Sequence, residues 1–541
     1  MNYILLIILA TLATSGRVLG LVLFSIVSGW FLAYAAIKGR IFENIFIAVI
    51  EVFESVPVIS FFPIVLVIFI TRIGGPLGVE LASDFLVFTA VVWNIWMGEY
   101  QAFKTVPKEM MEVTENYRMG IFSKMRHLLI PFSVPRIAAN LFPSVSDGFF
   151  YITVSEVFAI GLHTYQTFGI GSVLDSFLAA NNTYGIDLSL IILGIIIGLI
   201  IVFLRKFSEY AVSRYTLDTD APVIRRGRLN LKQTTRALSE IASNPFRRLA
   251  VYYRFRNEGN RREPDYEKRS SGEKYGRYIW GGVGIVLLAL ILYGAVGAIL
   301  TVPHAQWKIL LDYTPNLLWN LVYDYARVLT IVVISFIISI FLGYYLAVNR
   351  HAEKIGVPVV QVFSAYPAPI YFPFLYIITL PFMIRAFGTA SSELYVLFLG
   401  FISTFYYAFY SFWMGVKALP SEYWEVMRNM NLGFFKKMRM IILPSTFPYM
   451  ISGISSTINS AWGGLMIGEY WPDIYGTHTL TVHTGLMKVI DIATSNGDIM
   501  LAAWSSFIFG IVVVIYSIVF TRRMMDLARK RYVAEEGIFA A

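Results

Sequence analysis

The 541-residue chain contains no cysteine, which removes disulfides, thiolate chemistry and thiolate-held metals from consideration. Charge is scarce as well: Asp, Glu, Lys and Arg make up 15% of residues, too few for a soluble protein of this length. Six histidines, at 127, 163, 304, 351, 478 and 483, form no HExxH or comparable metal-ligand spacing. His478 and His483 are close together, but structural or loop positions are the simpler reading. No GxxxxGK[ST] phosphate loop occurs, so an ATP-driven step would need a partner to hold the nucleotide and its Mg, with no cofactor bound by this chain. Nor is there a nucleophile elbow or a paired catalytic constellation, which argues against a membrane-embedded enzyme. The opening MNYILLIILATLATSGRVLG lacks a basic leader and a small-residue cleavage site, and reads as the start of a first span.

Apolar residues are abundant instead, at 57% with 42 Phe and 33 Tyr, and mean hydropathy is +0.63. Crossing ~30 Å of hydrocarbon takes about 20 residues of helix. Runs of that kind predict eleven spans, near 11–36, 43–70, 84–103, 133–156, 187–204, 279–301, 322–347, 355–384, 391–415, 446–468 and 499–521. The fold class expected is an all-α polytopic membrane protein of the cell (plasma or inner) membrane. With the C-terminus inside, 37 of the 44 Lys and Arg fall in inside segments, so the positive-inside rule orients the chain N-terminus out, C-terminus in.

The chain also matches itself. Arg17-Val-Leu recurs as Arg327-Val-Leu, and EVFESVPVISFFP ending at Pro63 corresponds to QVFSAYPAPIYFP ending at Pro373, both at an offset of 310. From there the offset is 313: Pro107 with Pro420, Glu112 with Glu425, Gly120 with Gly433, Pro131 with Pro444, Glu156 with Glu469. An ordered series of this length predicts a duplication. Both copies keep their polar loop on the basic side, so the repeat is parallel, in two bundles related by an axis along the membrane normal. The expected division is a first repeat at 1–204, a linker at 205–277 and a second repeat at 278–541, whose extra span 279–301 restores the orientation. The linker carries 18 basic and 9 acidic residues, which suits a solvated connector lying on anionic lipid headgroups; no nucleic-acid partner is expected.

Each half contains a long polar loop, KTVPKEMMEVTENYRMGIFSKMRHLLIP at 104–131 and KALPSEYWEVMRNMNLGFFKKMRMIILP at 417–444. Proline and acidic residues open each, a glycine interrupts it, and a basic amphipathic stretch ends in proline, so two short helices with a turn between them are expected. These loops resemble the coupling motif of ABC importer permeases, in which Glu-Ala-Ala is followed by Gly and closes in Ile-x-Leu-Pro. Glu112 to Pro131 and Glu425 to Pro444 both span 19 residues, the family spacing, and the second copy keeps Ile441, Leu443 and Pro444. Ala-Ala is replaced by Val113-Thr114 and Val426-Met427, and the usual Gly position holds Arg118 and Asn431, with Gly120 and Gly433 two residues later. The proline-rich ESVPVISFFP and SAYPAPIYFP further resemble the second span of permeases for nitrate, sulfonate, taurine and related small anions.

The resemblance implies a permease that couples to two cytosolic ABC ATPase subunits and receives a small-molecule substrate from an extracytoplasmic binding protein. Glu112, Glu115, Gly120, Pro131, Glu425, Gly433, Leu443 and Pro444 would form the coupling elements, with the glycines permitting the turn. Carboxylates at membrane depth are costly and face a cavity or one another. Ser146, Asp147, Asn459 and Ser460 are therefore candidates to line the substrate path. Glu156 and Glu469 stand near its outer end, where they either meet the binding protein or bond between helices. An ion-coupled secondary transporter would account for the carboxylates but not for the two matched loops. No Lys or Arg falls mid-span, so the anion expectation rests on resemblance.

Overall fold

The computed structural model describes residues 3–55, 72–160, 163–180, 182–215, 303–474 and 478–516, with 65, 68–70, 519, 523 and 524 between and beyond them. The expected span 279–301, most of the linker, the segment ending at Pro63 and the basic tail lie outside the described residues.

The first half opens with α1 (Tyr3–Lys38) and α2 (Arg40–Ser55). After Gly74 and Gly75, both at positive φ, Pro76 starts α3 (Gly75–Lys104). Two short helices follow, α4 (Lys108–Asn116) and α5 (Ile121–Lys124), and then a π turn at Met125–Leu129. The long α6 (Ile130–Ser155) leads into a hairpin of β1 (Val157–Ile160) and β2 (His163–Gln166). The half closes with α7 (Ile170–Ala179) and α8 (Thr183–Tyr215).

The second half runs through α9 (His304–Val348), α10 (Arg350–Ala365), α11 (Ala368–Phe387) and α12 (Ser391–Lys417). Next come α13 (Ser421–Asn429), α14 (Phe434–Lys437), a π turn at Met438–Ile442 and α15 (Leu443–Gly468). A second hairpin, β3 (Tyr470–Ile474) with β4 (His478–Thr481), precedes α16 (Leu486–Ser495) and α17 (Ile499–Tyr516). Elements of one type and length thus recur in one order: nine residues in α4 and α13, four in α5 and α14, twenty-six in α6 and α15, ten in α7 and α16.

The protein is all-α and polytopic apart from these two short hairpins. Six apolar stretches among the described residues are long enough to cross a membrane, one of them running from Ala368 to Lys417 across the Gly388 turn. A seventh is reached if the pieces Ile121–Ala138 and Asn140–Ser155, bent by 58°, count as one. Pro143 lies just beyond that bend and has no N–H to give residue 139; past its first turn α15 has only Pro448, at the position matching Pro135. The expected span 355–384 is broken instead into α10 and α11. Tyr366 is extended because Pro367 follows it, and proline disfavours the helical region for its predecessor. Asn349 caps α10 by accepting the His351 and Ala352 N–H groups (3.1 and 3.2 Å).

In lipid the helices gain little from burying apolar surface, so close packing and internal polar contacts hold them. Outward residues are accordingly large and apolar, such as Leu23, Leu199 and Phe203. The halves interlock: α10 packs on α6 and α8, while α2 reaches α17. Ala365 and Ile370 join the core of the first half, and Ala82, Leu86 and Tyr151 that of the second. Tyr366 Oη donates to the Leu190 carbonyl across the seam (2.8 Å).

α12 and α15 cross closely at a pair of glycines, where a Cβ at Gly464 would stand 2.8 Å from the Gly400 Cα. Gly464→Ala is therefore expected to destabilise by about 1–3 kcal/mol, as overpacking does. Thermal unfolding in detergent checks this, with Gly120→Ala, where a Cβ meets nothing within 4 Å, as the neutral control.

Candidate functional site

Three features recur or converge in this frame: the two short-helix loops, a buried ion cluster in each half, and a cavity between the halves.

Both loops are built alike. Pro107 and Pro420 precede α4 and α13, and each helix ends in a left-handed cap. In the first, the Arg118 N–H bonds the Glu115 carbonyl (2.8 Å) and the Met119 N–H bonds that of Thr114 (2.9 Å). In the second, Asn431 bonds Arg428 (3.0 Å) and Leu432 bonds Met427 (3.2 Å). The residue between must turn left-handed, and Arg118 and Asn431 do so, at φ 49° and 47°. This corrects the role expected of the glycines. Gly120 and Gly433 sit at φ −65° and −70°, open to any residue, and merely precede α5 and α14. The turn belongs to the position where the family pattern has glycine. Each π turn closes with a bond from Ile130 to Met125 or from Leu443 to Met438, immediately before Pro131 or Pro444. Those prolines cannot donate, so the wider turn forms where the α-helical bond is already missing.

Thr114 and Met427 anchor the loops inward. Outward, Glu112, Glu115 and Glu425 are exposed beside large apolar side chains. Phe122 is 82% exposed and its counterpart Phe435 79%, and Tyr117, Val113, Met430 and Val426 of the same loops are exposed as well. Exposed aromatic and acidic groups gathered on two loop tips make a surface suited to a protein partner.

Glu156 and Glu469, at the far ends of α6 and α15, are fully buried. Glu156 accepts from Thr14 Oγ1 (2.6 Å), the Gly171 N–H (2.6 Å) and Arg17 Nη1 (3.5 Å). Arg17 also grips Glu80 with Nη2 (2.8 and 2.7 Å) and the Phe168 carbonyl (2.9 Å). In the second half Arg327 Nη1 reaches Glu469 (2.9 Å) and Asp324 (3.2 Å), while Nε and Nη2 hold Glu393 (2.8 and 2.7 Å). Arg327 Nη2 also donates to the Thr484 carbonyl (2.7 Å). Each cluster ties the first long helix to α3 or α12, to the hairpin and to the short α7 or α16. Both glutamates are thus spent inside their own half rather than presented to a cavity or a partner.

The cavity, about 1100 Å³, lies between α6 and α8 on one side and α10, α12 and α15 on the other. Asn94, Asn140, Gln361, Ser452, Ser456 and Tyr410 supply polar walls. Arg205, Arg350, Lys354 and Lys417 stand against Glu209 and Glu353 along it, and two of the cations are paired, Arg205–Glu209 at 3.3 Å and Lys417–Glu353 at 3.0 Å. Tyr406 and Tyr407 line it too, and both donate to Asp147 Oδ1, at 3.4 and 2.5 Å. Asp147 therefore stands behind the tyrosines. Ser146 is buried and bonds the Phe142 carbonyl (3.0 Å), and Asn459 and Ser460 lie about one turn past Ser456.

Sequence reasoning missed the tyrosine pair and the cations beside the cavity. It also missed Glu80, Glu393 and Asp324, although Glu80 and Glu393 are 313 apart, the offset of the other matched pairs. A further carboxyl, Glu99 on α3, is fully buried against Gly29, and neither of its oxygens has a hydrogen-bond partner. Its matched position holds Phe412.

Residues 335–533 match the family described as binding-protein-dependent transport system inner membrane component. That family is one of transport permeases, and the match supports an ABC importer permease in a multi-pass protein of the cell membrane. No curated protein matches the chain.

Two stability outcomes follow from the geometry. Arg327→Met leaves three carboxylates without their cation and is expected to cost about 3–5 kcal/mol, more than Arg17→Met, whose guanidinium is less buried and bridges two carboxylates; thermal unfolding compares them. Asn431→Gly relieves a left-handed residue and is expected to match or exceed wild-type stability, whereas Asn431→Val is expected to lose roughly 1–2 kcal/mol.

Proposed function

We propose that this chain supplies both permease halves of an ATP-driven importer, arisen by duplication, and that the loops at 104–131 and 417–444 are its two coupling elements. The carrying observation is their shared construction: helix, left-handed cap, short helix, π turn and proline in the same order, with exposed Glu112 and Glu425 at equivalent places. The family match includes the second loop, and the first repeats it outside the matched residues. Each loop takes one cytosolic ABC ATPase subunit, which holds ATP and Mg. Phe122 and Phe435 seat in the partner's groove, with Glu112, Glu115 and Glu425 beside them. Packed contacts resist compression, so ATPase closure moves each loop, and the helix behind its proline, as a rigid piece. An extracytoplasmic binding protein delivers substrate at the opposite end. This assignment places the N-terminus outside and the C-terminus inside, with the basic linker against the lipid surface.

The substrate path is the cavity between the halves, closed at the end away from the coupling loops by the contact of Asp147 with Tyr406 and Tyr407. A small anion, of the nitrate, sulfonate or taurine kind, suits its charge: four cations face two carboxylates, and both carboxylates already have partners. Ser146, Asn459 and Ser460 come into the path once α6 and α12 separate. Catalysis plays no part in this chain's role.

Affinity capture of the tagged, detergent-solubilised protein from its native membrane is expected to bring down a cytosolic ATPase, and the combination of Glu112→Lys with Glu425→Lys to lose it. Capture without an ATPase, together with uptake driven by an ion gradient alone in vesicles, would sink the importer reading. Tyr407→Phe removes a hydrogen bond from Asp147, about 1–3 kcal/mol, and is expected to raise ATP hydrolysis uncoupled from transport by roughly ten-fold.

A further inference from the structure

Positions 14 and 324 are 310 apart, the offset that relates Arg17 to Arg327, and they occupy one place in the two ion clusters. Thr14 Oγ1 accepts the Ile170 N–H at the start of α7 (2.9 Å) and donates to Glu156 Oε1 (2.6 Å). Asp324 Oδ2 accepts the Leu486 and Met487 N–H groups at the start of α16 (2.9 and 3.3 Å). Its Oδ1 and Glu469 Oε1 converge on one guanidinium nitrogen, 3.2 and 2.9 Å from Arg327 Nη1. Both side chains are fully buried. The hydroxyl of Thr14 brings its own proton to the contact with glutamate. A carboxylate brings none, and two buried carboxyl groups drawn onto one guanidinium nitrogen favour holding a proton between them.

The surrounding charges do not remove that need. Arg327 Nη1 lies 3.2 Å from Asp324 Oδ1 and 2.9 Å from Glu469 Oε1, but Glu393 of α12 takes Nε and Nη2 of the same guanidinium. One cation thus faces three carboxylates, where Arg17 faces two, Glu80 and Glu156. Lys488 of α16 gives Glu469 Oε2 only its backbone N–H (3.1 Å), its ammonium being bound to the Val482 carbonyl (2.6 Å). Asn320 of α9 is neutral and accepts the Gly485 N–H (2.9 Å). His483 is exposed in the loop after β4, and Asp491 lies about one turn beyond Lys488 on α16.

We propose that Asp324 and Glu469 share a single proton, a proton-binding site in the second half for which the first half substitutes the hydroxyl of Thr14. With the proton in place, α9, α15 and the start of α16 are joined through one hydrogen-bonded unit. Its release leaves two adjacent carboxylates beside one divided guanidinium, and the hold on α16 and the β3–β4 hairpin weakens. The second half therefore loosens as this proton is lost on raising the pH. This site goes beyond the transport reading and stands without it.

The test uses the full chain in lipid nanodiscs, as wild type, Asp324→Thr and Asp324→Asn, the amide serving if the threonine variant fails to fold. Infrared spectra are recorded from mildly acidic to alkaline pH, and thermal midpoints alongside. Wild type is expected to show a protonated-carboxyl C=O band that disappears on raising the pH, with a parallel fall in midpoint. Both variants are expected to lack that band at every pH and to lose the fall. Glu99→Gln, Asp147→Asn, Glu156→Gln and Asp491→Asn identify bands contributed by the other buried carboxyls, so the assignment rests on the difference between variants. A wild-type spectrum without such a band, or a band and a midpoint profile unchanged in the Asp324 variants, overturns the proposal.

Discussion

The arrangement depends on one constraint: an arginine inside a membrane protein must be surrounded by carboxylates and carbonyls, because neither lipid nor packed apolar side chains can solvate it. Arg17 and Arg327 each meet that demand by drawing together elements far apart in sequence. Arg327 collects Glu393 from the start of α12, Glu469 from the end of α15 and the Thr484 carbonyl ahead of α16. Satisfying one guanidinium thereby fixes where three helices end. The short helices at that end bury Ile170, Val173, Leu174 and Phe177, or Leu486, Met487 and Ile490, in the apolar cores, and the ion clusters fix the placement of their first turns.

At the other end the logic is reversed. The loops carrying α4, α5, α13 and α14 anchor through Thr114 and Met427 and leave aromatic side chains outside. Their shape comes from backbone chemistry: a proline opens each, a left-handed residue caps its first helix, and a second proline ends the π turn. Such loops are rigid without being buried, which suits a surface that transmits force. Between the ends, the cavity is roofed by tyrosine hydroxyls on an aspartate from the opposite half. A change in the packing of α6 against α12 acts directly on that contact.

Much of this was legible in the sequence. Apolar runs announced the helical membrane fold, and paired prolines and glutamates located both loops and their boundaries. What escaped has physical reasons. The break at Tyr366–Pro367 lies in an apolar stretch that hydropathy reads as continuous. Gly120 and Gly433 looked like the turn residues because glycine usually takes left-handed backbone, yet the cap geometry assigns that role to Arg118 and Asn431. Glu156 and Glu469 were visible as costly carboxylates, but only three-dimensional proximity shows that Arg17 and Arg327 neutralise them. Tyr406 and Tyr407 carry no sequence signal, since an aromatic pair in an aromatic-rich span reads as packing.

The covalent link between the halves has a consequence for symmetry. Two separate copies of one chain must present the same side chain at both equivalent places, so a charge favourable once is imposed twice. Here the places differ: Thr14 answers to Asp324, Glu99 to Phe412, and Pro143 to Ser456. Each substitution would be self-opposing in a symmetric pair, doubling a buried charge or a bend around the same axis. On one polypeptide the two sides are free to diverge, one bending while the other stays straight and one carrying a buried carboxyl where the other has a hydroxyl or a phenyl ring. The repeated order of elements thus carries different chemistry at its equivalent places.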